Sequence, residues 1–284
     1  MKTSKLELTW ENIRPILLWI ALPLMVGVLI AAAIPRPVIG VIHLEVAIDS
    51  YSASDMIAQI DYARQHPEVR AVVLMVDSPG GTVADTESVY QELLRLRLTK
   101  PVVTSIGAMA ASGAYYLSVG TDYIIADPTS EVGNIGVIGY LPDSPTIYEG
   151  IVSTGPYKLW GEPRDTFQRE MEMVKQGFYQ AVTLGRGDRL TVGPDVVLTG
   201  RIWLGSEAQR IGLIDAIGPQ SNALTKAALL AHIGNYKVAD LAELAGIQSS
   251  SSSVFAKNPD GVTLLYPNQT GIFLLYIPPV PVEK

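Results

Sequence analysis

The sequence predicts an α/β protein built on a parallel sheet. Two observations lead there: apolar strand-like runs alternate with helix-patterned segments from Val38 onward, and two of those strands run into corners of glycine and other small residues that open helices. Ahead of the alternation stands an uncharged apolar run, Pro15 to Ile34, so the expected chain is a membrane helix followed by an α/β domain.

The apolar run is long enough to span a bilayer, for which about 20 residues suffice. Lys2, Lys5 and Arg14 precede it and only Arg36 follows closely, a bias that leaves the N-terminus in the cytoplasm and carries the rest across. A cleaved secretory signal is the competing reading, with Ala31-Ala32-Ala33 as small residues at a cut. The length of the run and Pro35 behind it favour the uncleaved anchor. The expected divisions are a cytoplasmic N-terminus (1–14), a transmembrane anchor (15–35), the main α/β domain (36–245), and a Ser-rich linker with a Pro-rich apolar tail (246–284).

Val38 to Ile48 reads as the first strand. Ser54 to Gln65 is a helix with Ile57, Ile60 and Ala63 on one side, ended by Pro67. Ala71 to Val76 is apolar enough to be a buried strand; it runs into Pro79-Gly80-Gly81 and a helix over Thr82 to Leu98. A strand from Val102 to Ile106 leads to Ser112, which heads a short helix whose Ala111, Ala114, Tyr115 and Leu117 are apolar enough to be buried. A strand over Tyr123 to Ala126, the segment Gly133 to Val137, an amphipathic helix over Asp165 to Leu184, a helix over Ser206 to Ile211 and a strand at Leu213-Ile214 follow. Ser249 to Ser253 is an uninterrupted serine run and reads as a flexible linker. Val262 to Lys284 is apolar but broken by Pro267, Pro278, Pro279 and Pro281, which argues against a second membrane helix. It is read as an extended tail that adds to a sheet edge of a neighbour, in preference to partial disorder.

Composition narrows the chemistry. The net charge of -7 argues against a nucleic-acid surface. With no cysteine, thiol catalysis, disulfides and cysteine metal sites are excluded, and no cofactor is expected. The two helix-opening corners each offer unpaired N–H groups and the positive end of aligned peptide dipoles, which suit an oxyanion. A serine between two such corners suggests acyl chemistry. Its base is not His43, His66 or His232 on any motif, so a Ser-His-Asp triad is disfavoured. A lysine can serve if it loses its proton near neutral pH, a depression of about 3 units from about 10.4, on the order of 4 kcal/mol. Lys158, flanked by Tyr157, Leu159 and Trp160, is the best candidate, whereas Lys175 lies beside Glu172 on a charged helix face. On the residues alone, a surface lysine in a hairpin remains an equal reading of Lys158.

Five segments carry a resemblance: Asp77-Ser-Pro-Gly-Gly81, Gly107-Ala-Met-Ala-Ala-Ser-Gly-Ala-Tyr-Tyr116, Val132-Gly-Asn-Ile-Gly-Val137, Ser153-Thr-Gly-Pro-Tyr-Lys158, and Leu198-Thr-Gly-Arg201 with Ala208-Gln-Arg-Ile-Gly-Leu-Ile-Asp215. In this order they resemble the bacterial signal peptide peptidase A family over roughly Val38 to Ala231. The resemblance implies a Clp protease/crotonase-like fold of repeated ββα units and a Ser-Lys dyad. Carried over, Ser112 is the nucleophile, Lys158 the general base, and Gly81 and Gly113 the oxyanion donors. Two positions depart from the family pattern: Asp77, often Asn in the family, and Asn134, commonly Ser or Thr, where the residue helps orient the lysine amine. Asn134 can accept through its side-chain oxygen, and Ser130 is a substitute.

The implied function is that of a membrane-anchored serine endopeptidase acting on cleaved signal peptides and other membrane-derived peptides. The resemblance also implies a ring-shaped homo-oligomer, in which Lys158 serves either the Ser112 of its own subunit or that of an adjacent one. Three alternatives stand beside it. A crotonase-type enzyme would use the two N–H groups on a thioester enolate, and the export signal argues against that. A non-catalytic membrane scaffold of the same fold is prompted by Asp77 and Asn134. A stomatin-associated type of membrane protease usually carries further membrane helices, which are not read here.

Overall fold

The computed structural model describes residues 14–15, 17–33, 35–141, 150, 152–155, 157–158, 163–247, 254–257 and 263–278. Its centre is an eight-stranded sheet in which β1 (Val38–Leu44), β2 (Val69–Ser78), β4 (Val102–Ala111) and β5 (Tyr123–Ala126) lie side by side and parallel. The short strand β3 (Gly80–Thr82) follows β2 and belongs to a different sheet. β6 (Glu131–Gly133) pairs with the far half of β4, and β7 (Ile138–Tyr140) leaves the central sheet. β8 (Ile202–Leu204) is antiparallel to β6, while β9 (Ala216–Ile217) and β10 (Lys237–Asp240) close the two ends of the main path. The expected α/β, Clp-like architecture is therefore present as a mixed sheet.

Side-chain alternation along these strands builds two cores. Ile42 and Leu44 of β1, with Val72, Leu74 and Val76 of β2, face one side. Ile39 and Val41, with Ala71, Val73 and Met75, face the other. The first face is covered by α2 (Ser50–Gln65), α3 (Val83–Arg97) and α4 (Gly113–Val119), which follows β4; the helix α1 (Leu22–Ala33) precedes the sheet in the chain. The amphipathic α5 (Arg164–Arg186) adds Phe178 and Val182 to the same core. After the single-turn α6 (Pro194–Val197) and the short α7 (Gly205–Arg210), α8 (Gln220–Leu230) covers the second face with Ala223, Ala227 and Ala228. The last helix, α9 (Leu241–Ala245), is capped by the Asp240 carboxylate, which accepts from the Ala242 N–H.

Several boundaries differ from those expected. The first strand stops at Leu44, and the next helix starts at Ser50 instead of Ser54, because the Asp49 carboxylate accepts the N–H groups of Tyr51 and Ser52 while the Ser52 hydroxyl accepts the Asp49 N–H. The expected strand at Leu213-Ile214 lies at Ala216-Ile217. Asp215 fixes that offset: its N–H donates to the Ile124 carbonyl and its carboxylate accepts the Ile124 N–H.

The tail differs most. β11 (Phe255–Lys257) and β12 (Thr263–Pro267) pair with each other. β13 (Gly271–Leu275) lies antiparallel between β3 and β7, so it pairs within its own chain and not with a neighbour's edge.

At the other end of the chain, Leu17–Ala21 forms a π-helical turn that runs into α1, with Trp19 and Leu24 exposed. Among the described residues no helix is long and apolar enough to cross a membrane, so the expected span over 15–35 is represented only by this shorter helix.

Candidate active site

Ser112 stands at the join of β4 and α4 with φ 52° and ψ -118°, a backbone geometry that a residue with a side chain rarely adopts. Such strain, of order 1–3 kcal/mol, persists only where the surroundings enforce it. Here they do: the Ser112 N–H donates to the Gly133 carbonyl at 2.8 Å, and the Ser112 carbonyl accepts the Tyr116 N–H at 2.9 Å. The hydroxyl makes no capping bond to α4, and the residue is 1% exposed. Gly133 is itself constrained, with φ 113° and the Trp203 ring 2.6 Å from where a Cβ would stand.

Gly81 and Gly113 are brought together with Ser112. β3 is held on one side by Ile48, whose N–H donates to the Gly80 carbonyl and whose carbonyl accepts the Thr82 N–H. The approach is so close that a Cβ on Gly81 would stand 1.9 Å from the Ile48 oxygen. On the other side the Gly81 amide nitrogen lies 3.3 Å from the point where a Cβ on Gly113 would stand. The backbone amides of Gly81 and Gly113 thus lie close to one another beside the serine corner.

The remaining expected residues are placed less directly. Ser130 is buried at a turn, where its hydroxyl donates to the Gly107 carbonyl at 2.5 Å and accepts the Asp127 N–H at 3.0 Å. Its single proton is spent on holding the loop. Asn134, with φ 52°, donates from Nδ2 to the Gly200 carbonyl at 2.8 Å, so an orienting role would fall to its side-chain oxygen. Lys158 is exposed in a helical turn with Tyr157, its N–H near the Gly155 carbonyl. Among the described residues it makes no hydrogen bond or ion pair to Ser112 in the single protomer. Burial does lower the pKa of another lysine, Lys100, whose ammonium caps the carbonyl end of α2 at Ala63 and His66. That is a structural task.

Two of the three histidines are engaged elsewhere. His43 pairs with Glu45 at 3.3 Å, and His66 stacks on Tyr62 with ring centres 3.7 Å apart. His43 and Asp77 line an open cleft of about 300 Å³ with Ser105, Asp127 and Gln220. Neither Ser112 nor either donor glycine lines that cleft. What occupies the space beside the donor glycines is β13, paired along Gly80 to Thr82 with Leu274 opposite Gly81. The strand β7 and Ile48 had no signal in the sequence as walls of a site, since both act through backbone pairing.

The profile of peptidase family S49 matches residues 95–234, and that of Clp protease matches residues 39–132. Over 228 residues the chain is 32% identical to Protease 4 of Salmonella typhi, covering 74% of this chain and 37% of that protein. Protease 4 of Haemophilus influenzae is 36% identical over 192 residues, covering 62% of this chain and 31% of that protein. A putative signal peptide peptidase SppA of Enterococcus faecium is 27% identical over 190 residues, covering 62% and 55%. The chain spans about a third of the length of the two Protease 4 relatives. The first profile takes in Ser112 and Lys158 and the second Gly81, Ser112 and Gly113, so separate matches meet at the strained serine. On that agreement the chain belongs to the signal peptide peptidase A family, the serine proteases of peptidase family S49.

Proposed function

We propose that the protein is a membrane-anchored serine endopeptidase that hydrolyses cleaved signal peptides and other membrane-derived peptides through a Ser112–Lys158 dyad. The observation that carries this reading is the strained Ser112 corner beside the paired amides of Gly81 and Gly113. In the reaction, the neutral amine of Lys158 takes the hydroxyl proton as the Ser112 Oγ attacks a peptide carbonyl. The carbonyl oxygen gains the negative charge and is held by the two glycine N–H groups, each donor worth about 3 kcal/mol in such sites. The C–N bond then breaks, Lys158 returns the proton to the leaving amine, and water hydrolyses the serine ester.

Because Lys158 is exposed in the single protomer, the dyad is proposed to close between subunits of a ring-shaped homo-oligomer, one giving Ser112 and the next Lys158. The N-terminal apolar segment is proposed to anchor the ring with its catalytic domains outside the cytoplasm. Asn134 and Ser130 are proposed to orient the lysine through their acceptor oxygens.

The test is labelling by a serine-directed fluorophosphonate together with a peptidase assay. Labelling of the intact protein that disappears in Ser112→Ala supports catalysis. The same exposure of Lys158 favours a second reading, a scaffold of this fold with weakened catalysis; absence of labelling and turnover in the folded, assembled protein would establish that reading instead.

A further inference from the structure

On the face of the sheet that α8 covers, beyond the start of that helix, two rows of residues cross the parallel strands. Register sets His43, Met75, Ser105 and Ile125 side by side on β1, β2, β4 and β5. Two residues on, where alternation returns to the same face, come Glu45, Asp77, Gly107 and Asp127. These rows, apart from Ile125, line the cleft of about 300 Å³. Neighbouring strands lie about 4.8 Å apart, so Asp77 and Asp127 stand roughly 10 Å from one another with Gly107 between them.

Several features of this cleft serve no structural purpose. Gly107 is not in the left-handed region, and a Cβ there would meet nothing closer than the Val76 carbonyl at 3.6 Å and the Asp77 Cβ at 3.9 Å, ordinary contact distances. A side chain at that position would only fill the gap between the two carboxylates. Ser105 is 6% exposed, yet its hydroxyl makes no hydrogen bond among the described residues. Nor is it sealed inside the protein, since the sealed polar side-chain atom without a partner is the Gln59 Oε1. A hydroxyl buried to this degree and open only toward a cleft lacks the partner that such groups normally have. The Asp77 and Asp127 carboxylates make no hydrogen bond or ion pair among the described residues, and of those residues no lysine or arginine lines the cleft.

Charge and shape select the occupant. Glu45 is turned to His43 at 3.3 Å, which leaves Asp77 and Asp127 as the free charges. Together they outweigh the roughly half positive charge that the N-terminus of α8 brings near Gln220. Among the described residues no three His, Asp or Glu side chains converge closely enough to hold a metal ion, so the cation must arrive on an organic stem. Met75, Val76 and Ile106 offer that stem an apolar wall. An ammonium carries three donors, and Asp77, Asp127 and the Ser105 hydroxyl supply three acceptors around the gap. We propose that this cleft binds the ammonium of a lysine side chain on a peptide, at a site separate from the Ser112 corner. Asp77, where the family often has Asn, then supplies half of the free charge. The proposal shares no residue with the Ser112 reading and does not rest on it.

The experiment is titration calorimetry on the full chain carrying Ser112→Ala, so that turnover cannot interfere. The probes are acetyl-lysine methylamide, its uncharged counterpart acetyl-norleucine methylamide, and the free diamine cadaverine. The expected result is saturable binding of the lysine probe that weakens at high salt, with no binding of the norleucine probe. Asp77→Asn should weaken lysine binding roughly tenfold, because it removes a charged acceptor. Gly107→Val keeps every charge but fills the gap, and should abolish binding. Equal binding of the lysine and norleucine probes, or lysine binding unchanged in Asp77→Asn, would overturn the proposal. Tighter binding of cadaverine than of the lysine probe would overturn it as well, since a free amine would then be the occupant. Should Gly107→Val not fold, Asp77→Asn decides alone, because it alters an exposed side chain that holds nothing in place among the described residues.

Discussion

At the scale of single residues, the Ser112 corner depends on neighbours that hold an unfavourable backbone in place. Gly133 is the clearest case, since its carbonyl anchors the Ser112 N–H and its own φ of 113° leaves no room beside Trp203. Gly133→Ala is expected to lower stability by about 1–3 kcal/mol and to slow labelling of Ser112 together with it, read by thermal melting and fluorophosphonate kinetics. Gly81→Ala should be at least as damaging, because the added carbon meets the Ile48 carbonyl, which is fixed backbone. Much of the site was legible because its chemistry is local: Pro79-Gly80-Gly81 and Ser112-Gly113 each announce a corner within a few letters. The partners were not. Asn134 gives its amide to Gly200 and Ser130 gives its proton to Gly107, and pairings across such separations leave no mark on short-range spacing.

At the scale of elements, a cap decides where α2 begins. Asp49→Ala removes the acceptor for the Tyr51 and Ser52 amides and should cost about 1 kcal/mol, read as a lower melting temperature without loss of fluorophosphonate labelling. Apolar periodicity located that helix through Ile57, Ile60 and Ala63 but missed its first turn, which is set by a hydrogen bond and not by burial. The buried strands were the most legible part of the fold, since Ala71 to Val76 is apolar on both faces and both faces are covered. The tail shows the opposite limit. Its apolar residues read as an extended segment, yet nothing in them names β3 and β7 as flanking partners, because strand pairing is written in backbone groups that every sequence shares.

At the scale of the molecule, one ion-pair cluster ties the last third of the chain to the sheet. Arg186, 2% exposed, grips the Asp215 carboxylate with two bonds of 2.9 Å and the Gly212 carbonyl with a third, while Arg189 and the Ile124 N–H complete the carboxylate's partners. Burial alone raises the Asp215 pKa, but the Arg186 hydrogen bonds and charge, with Ile124 and Arg189, carry it below its ordinary value of 3.8. A group depressed in this way contributes stability that is fully present above pH of about 3.8 and lost as pH falls through the lower folded value. Unfolding followed by circular dichroism should therefore steepen at the acid end, and Asp215→Asn should flatten that limb. The same variant leaves Arg186 buried without its counter-charge and should cost about 3–5 kcal/mol at neutral pH. Assembly is tested by mixing: Ser112→Ala and Lys158→Ala proteins, each inactive alone, should regain activity when combined if the dyad closes between subunits, and mixed rings without turnover would exclude shared sites. Were β13 removed, β3 and β7 would be left as bare rims of unanswered amides and carbonyls, a template for any extended chain nearby. Crowding then turns against the protein, since copies at high density would knit to one another through their vacated slots while dilute ones stay apart.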